Sequence, residues 1–182
     1  MTIAVIGWGS LVWDPRDLDI ELTWCQDGPR LPVEFSRVSL DSRLTLVLVE
    51  DVPVQTTLWA VNRKATLEEA AKDLQAREGC GARGIGTWPR LEHRSRVTIY
   101  DEIVNAWVAP TGLDGVVWTA LGPTDRDKRP GWMSETERLE YLKGLVAAGK
   151  AEAARKYIEC APAQIETSFR VLVRRELGWG KG

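Results

Sequence analysis

The first apolar run of the chain opens directly into Gly7-Trp8-Gly9-Ser10-Leu11, a segment whose residue types suit anion binding. Glycines placed after a strand allow positive φ and close backbone approach, so successive N–H groups can point into one concavity. Such a concavity suits a carboxylate or a developing oxyanion. A dinucleotide site is a poor match. Val12 stands where the last glycine of Gly-x-Gly-x-x-Gly belongs, and Asp14-Pro15 breaks the segment that would have to be helical. The plain alternative is a Gly-rich turn. Gly79, Gly81 and Gly84 repeat the spacing, but after a helix rather than after a strand, which is the wrong context.

Glu78 is the second candidate. It closes Leu74-Gln75-Ala76-Arg77-Glu78-Gly79, the end of a helical pattern. A carboxylate there faces the negative end of the helix dipole, an unfavourable place for its charge. A carboxyl so placed can take a proton as general base and return it as general acid. The competing reading is a helix-end glutamate paired with Arg77 or Arg83. Cys80 lies close by, but a nucleophilic thiol needs a cationic or imidazole neighbour. His93 is the single histidine of the chain and reads as part of a surface turn between Pro89 and Arg96. No Gly-x-Ser-x-Gly elbow or Ser/His/Asp signature is present.

These residues need elements to hold them. Ile3-Ala4-Val5-Ile6 reads as a buried strand feeding the glycine loop. Val33 to Val38, Leu44 to Val49 and Thr56 to Val61 continue a β pattern, with Asp41-Ser42 as a turn. Thr66-Leu67-Glu68-Glu69 has the capping-box form, and Leu67, Ala70, Ala71 and Leu74 follow at helical spacing. Gly79 and Gly81 end that helix. A second β region is expected between Arg83 and Thr119, with strands at Val97 to Tyr100, Ile103 to Val108 and Val116 to Thr119. Asp101-Glu102 and Pro110-Thr111-Gly112 are read as turns, and Pro123 to Gly131 as a loop. Ser134-Glu135-Thr136-Glu137 opens a helix with Leu139, Leu142, Leu145 and Val146 on its apolar face. Ala151 to Ile158 forms another after Gly149. A third starts at Ala161-Pro162, carries Ile165, Phe169, Leu172 and Val173, and closes at Gly178. Strands first and helices last, without regular βαβ alternation, argue for an α+β fold and against a doubly wound sheet.

Composition bounds the rest. A chain of 182 residues fits a single domain, residues 1–182. A formal charge of -2 with interspersed basic residues gives no footprint for nucleic acid. Cys25, Cys80 and Cys160, an odd number at wide spacing, outline neither a disulfide framework nor a zinc site. The start of the chain has no basic stretch or cleavage site, and no apolar run approaches the ~20 residues of a membrane span. A reduced, cytoplasmic protein with no membrane partner is expected. Nine tryptophans are spread along the chain, and core or rim packing accounts for them, with Trp8 the exception.

The order of these features resembles the ChaC-type γ-glutamylcyclotransferases. Gly7-Trp8-Gly9-Ser10-Leu11 looks like that family's Gly-Tyr-Gly-Ser-Leu loop. Phe35 to Val49, with Arg43 before Leu44-Thr45-Leu46-Val47-Leu48, is similar to the strand pair that follows. Thr57 to Val61 resembles the next strand, and Leu74 to Gly79 the helix end that carries the catalytic glutamate. The resemblance covers residues 3–120; Trp8 replaces a tyrosine, and Cys80-Gly81-Ala82-Arg83 replaces a lysine- or tyrosine-containing sequence. It implies a mixed or antiparallel, barrel-like sheet with flanking helices, a β-rich core over 1–120 and a helical extension over 134–178. It also implies Glu78 as proton acceptor, Gly7, Trp8, Gly9, Ser10 and Leu11 as the substrate loop, a small γ-glutamyl substrate, and no cofactor or metal. The reaction would release 5-oxoproline and an amine or peptide. A binding or interaction module on the same fold is the alternative. The leaving group and the oligomeric state are left open by the residues.

Overall fold

The computed structural model describes residues 1–94, 100–125, 127, 129, 131 and 133–180. The chain divides into two compact units, Met1–Leu31 with Thr56–Leu121, and Pro32–Gln55 with Gly122–Gly182. Segment 32–55, which lies among the strands in sequence order, thus packs with the C-terminal helices.

The first unit is built on a four-stranded mixed sheet whose strands lie in the order β6 (Leu58–Asn62), β1 (Ile3–Gly7), β8 (Gly115–Thr119) and β7 (Ile85–Trp88). β1 is one of its two inner strands, buried at every position. Its continuous apolar run is what a strand covered on both faces requires. β6 (Leu58–Asn62) pairs with β1 antiparallel, β8 (Gly115–Thr119) pairs with it parallel, and β7 (Ile85–Trp88) is antiparallel to β8. β6 begins one residue past Thr57, whose hydroxyl donates to the Pro29 carbonyl at 2.7 Å. The two-residue strands β2 (Arg30–Leu31) and β5 (Gln55–Thr56) mark the chain's passage between the units. The architecture is α+β, but the sheet is open rather than barrel-like: four strands are too few to close around a filled interior.

α1 (Leu67–Glu78) covers β7 and β8. The capping box forms as its sequence predicts: Thr66 Oγ1 accepts from the Glu69 N–H at 3.2 Å while the Glu69 carboxylate accepts from the Thr66 N–H at 3.0 Å. Leu67, Ala70, Ala71 and Leu74 are buried against Ile3, Val5, Ile85 and Val117. Fully burying one such leucine contributes roughly 1.5–3 kcal/mol. Gly79 ends the helix in the left-handed region, at φ 61°.

The expected strand at Ile103 to Val108 is a helix, α2 (Asp101–Val108). Val104 and Val108 are buried while Glu102, Asn105 and Ala106 are exposed, a spacing of four rather than two. Asp101 and Glu102 are therefore not a turn but the acidic first turn of that helix, where the dipole favours them. The strand expected at Val97 to Tyr100 lies outside the described residues, save for Tyr100, which caps α2.

The second unit holds the antiparallel pair β3 (Val33–Val38) and β4 (Leu44–Leu48), with a register shift between Phe35 and Arg37. Three helices belong to it: α3 (Glu135–Ala147), α4 (Glu152–Cys160) and α5 (Ser168–Leu177). α3 opens with the expected capping box on Ser134, but Val146 of its expected apolar face is exposed and Arg138 is buried instead. The helix expected from Ala161-Pro162 begins only at Ser168. The carbonyls of Ala161, Pro162 and Ile165 each accept from the Arg170 guanidinium at 2.8 Å, so these groups are satisfied without a helical ladder.

Phe35 sits at the centre of this unit, edge-on to Tyr157 and tilted against Phe169. No helix among the described residues is long and apolar enough to cross a membrane.

Candidate functional site

The loop after β1 is made of two overlapping turns. The Val12 N–H donates to the Gly9 carbonyl at 3.0 Å, and the Asp14 N–H to the Ser10 carbonyl at 2.8 Å. The N–H groups of Gly9, Ser10 and Leu11 go to no backbone carbonyl among the described residues. Three successive donors thus stand outside the backbone network.

Gly7 owes its identity to close approach rather than to positive φ. It is extended, opposite Leu58 in the β1–β6 register. A Cβ built on it would lie 2.7 Å from the Trp24 ring and 3.2 Å from a Val12 methyl. The left-handed glycines among the described residues are elsewhere, at positions 79, 112, 149, 178 and 180. Trp8 and Leu11 are buried and Ser10 is half-buried. The Trp8 indole therefore belongs to the packed interior and offers no open stacking face.

Glu78 is the last residue of α1, and its side chain is 16% exposed. Arg77, 5% exposed, donates through Nη1 to Glu78 Oε1 at 2.8 Å. Adjacent helical residues do not ordinarily face one another, so this pair needs help from outside the helix. The help comes from the loop. Arg77 Nη2 donates to the Asp14 carbonyl at 2.6 Å and to Ser10 Oγ at 3.3 Å. Arg16, itself left-handed at φ 54°, donates back to the Arg77 carbonyl at 3.4 Å, capping a helix-end acceptor. The glycine loop and the end of α1 are therefore clasped together, with one guanidinium between Ser10 and Glu78.

The structure thus brings two sequence-predicted candidates, Ser10 and Glu78, onto one side chain. Glu78 takes the Arg77 partner that the competing reading named, and only Oε1 is engaged; Oε2 accepts no hydrogen bond among the described residues. The parts played by Asp14 and Arg16 were not legible. Two charged residues flanking Pro15 are a weak signal without knowledge of where the end of α1 falls.

Cys80 and His93 do not share a setting. Cys80 packs against the hydrophobic core of this unit, whereas His93 is exposed in a turn at φ 63°. His93 lines a cavity of about 590 Å³ together with Arg83, Arg90, Glu92 and Arg94. Its basic lining is largely neutralised. Arg94 pairs with Glu68 at 2.8 Å and Arg90 with Asp101, while Glu92 faces the same space. Neither Glu78 nor the glycine loop lines this cavity.

The second unit contains a buried carboxylate that sequence reading did not single out. Glu34 Oε1 accepts from the Phe35 N–H at 2.8 Å and the Thr167 hydroxyl at 2.6 Å. Its Oε2 accepts from the Ser168 hydroxyl at 3.3 Å and the Phe169 N–H at 3.4 Å, at the start of α5. The Arg138 guanidinium lies 3.8 Å away and donates to the Phe35 carbonyl at 2.9 Å. Burial pushes that guanidinium below its ordinary value, against the opposing pull of Glu34 and Glu135. With both oxygens engaged, Glu34 has the character of a packing element, an acceptor for the Phe169 N–H and for the Thr167 and Ser168 hydroxyls at the start of α5. The clasped loop and helix end are the stronger candidate for chemistry. Comparison of the chain with family models, with curated proteins and with solved structures finds no match.

Proposed function

We propose that this chain is a γ-glutamylcyclotransferase-like enzyme, with Glu78 as its proton acceptor and Gly7 to Leu11 as its substrate loop. The observation that carries the reading is the clasp: a carboxylate with one oxygen unengaged is tied, through a single guanidinium, to a loop with three successive N–H donors outside the backbone network. A general base and an oxyanion-binding loop in one place are what intramolecular acyl transfer requires.

In the reaction, Glu78 takes a proton from the substrate's α-ammonium. The freed amine attacks the γ-carbonyl of the same molecule, closing a five-membered ring. The N–H groups of Gly9, Ser10 and Leu11 stabilise the oxygen as its charge develops. The C–N bond to the leaving amine then breaks. Glu78 passes protons from the ring nitrogen to the departing one, so that two protons move in all, and the products are 5-oxoproline and an ammonium-bearing fragment. Nucleophile and electrophile share one molecule, so the site acts chiefly by selecting the folded-back conformer. No cofactor is consumed.

The second reading, a binding or interaction module, is favoured by the same ion pair, because a carboxylate held by Arg77 has a structural role as it stands. Release of 5-oxoproline from glutathione, γ-glutamylamines and γ-glutamyl dipeptides separates the two. The wild-type chain is expected to turn over at least one class. Glu78→Gln, which keeps an acceptor for Arg77, is expected to lose at least about 100-fold in kcat with its melting temperature preserved. Equal turnover by the two proteins would remove Glu78 from the mechanism.

A further inference from the structure

We propose that Arg77 is the positioning residue of this site: it aims the Glu78 carboxylate by hanging it from the same group that holds the glycine loop. The inference rests on the reading of Glu78 as the proton acceptor.

The geometry has three parts. Glu78 ends α1, so its backbone is set by the helix and by left-handed Gly79, but three side-chain torsions remain free to place the carboxylate. The bond from Arg77 Nη1 to Oε1 removes that freedom and leaves Oε2 for a proton. Arg77 is itself immobilised from the other side by the Asp14 carbonyl and Ser10 Oγ. A displacement of the loop is therefore transmitted to the base, and the two halves of the site move as one.

Only arginine suits this post. Its planar fork presents donors in fixed, divergent directions and can serve a carboxylate, a carbonyl and a hydroxyl at once. A lysine ammonium at the same depth keeps the charge but cannot hold all three directions in one plane. Arg77 Nε is buried without a hydrogen-bond partner, a cost that marks the terminal fork as the part of the side chain in use. Misplacing a catalytic group by about 1 Å can lower a rate 100-fold. Loss of aim should thus appear in kcat, with ground-state binding by the loop N–H groups little changed.

The test compares wild type, Arg77→Lys, Arg77→Gln and Glu78→Gln in steady-state release of 5-oxoproline from the best member of the γ-glutamyl panel, with a thermal melt of each. The expected pattern is a kcat lowered at least tenfold in Arg77→Lys and further in Arg77→Gln, with KM within about threefold of wild type and melting close to it. A millimolar guanidinium salt is expected to restore part of the rate of Arg77→Gln and none of Glu78→Gln. Arg77→Lys with a kcat within twofold of wild type, or a loss confined to KM, overturns the positioning role while leaving the base in place. Failure of both Arg77 variants to fold also overturns it, by making Arg77 a folding residue. Absence of turnover by wild type, or turnover undiminished in Glu78→Gln, is a different result: it removes the reading of Glu78 and this inference with it.

Discussion

A Cβ on Gly7 would stand 2.7 Å from one atom of the Trp24 ring and 2.9 Å from another, closer than real contacts allow. The strand end lies against the six-membered ring of that indole, and the loop that carries Ser10 starts from that contact. Gly7→Ala must push the ring or bend the end of β1. Overpacking of this kind destabilises by roughly 1–3 kcal/mol. A urea titration is expected to show that loss with an unchanged m-value, together with altered Trp emission. A variant as stable as wild type would mean that Trp24 can retreat freely. The role proposed for Glu78 belongs to the same scale: it depends on which oxygen Arg77 holds, a matter of one hydrogen bond.

Among the elements, α1 and α5 show how local signals and tertiary contacts divide the work. α1 is specified twice over, by its capping box and by Gly79, and it delivers Glu78 to a defined point. α5 starts late because Arg170 binds the preceding carbonyls, and its last turns are tied back by a bidentate pair between Arg174 and Glu166, at 2.7 and 3.0 Å. The Arg174 hydrogen bonds hold the Glu166 carboxyl below its ordinary value of 4.5, against a smaller opposing effect of burial. A lowered folded-state value makes the pair stabilising above pH 4.5, with that contribution lost as pH falls below it through the lowered value. Both side chains are substantially exposed, at 41% and 31%, so solvent screening keeps the contribution small. Glu166→Gln is therefore expected to unfold at slightly lower urea than wild type at neutral pH. The difference should vanish in acid and shrink in high salt. A difference that persists well below pH 4 would point to packing rather than charge.

For the whole molecule, the two units interleave along the chain, and neither is a continuous stretch. Segment 32–55 depends on what comes a hundred residues later. Phe35 meets Tyr157 and Phe169, and Glu34 meets Arg138, Thr167 and Ser168. Removing the partners of a buried carboxylate costs about 3–5 kcal/mol. A fragment of residues 1–121, although it spans every expected site residue, should leave the β3–β4 pair without its cover. It is expected to aggregate in size-exclusion chromatography, or to show unprotected amides at 33–38 and 44–48 in hydrogen exchange. A monodisperse fragment with those amides protected would show that the hairpin stands alone.

Much of this was legible in the residues themselves, wherever the determinants are local. The two capping boxes, the glycine stops at Gly79 and Gly178 and the buried run of β1 depend on neighbours within a few positions, so the chain states them directly. The strand expected at Ile103 to Val108 failed because β-branched enrichment outweighed a four-residue spacing that a buried face later settled. An open sheet in place of a barrel, the pairing of segment 32–55 with the C-terminal helices, and the buried partners of Glu34 depend on contacts distant in sequence. So does the clasp. That Arg77 reaches Ser10 and Asp14, more than sixty residues away, follows from how α1 docks on β7 and β8, and no local pattern encodes that docking. Residue types proposed the chemistry, and only tertiary packing could decide which of them meet.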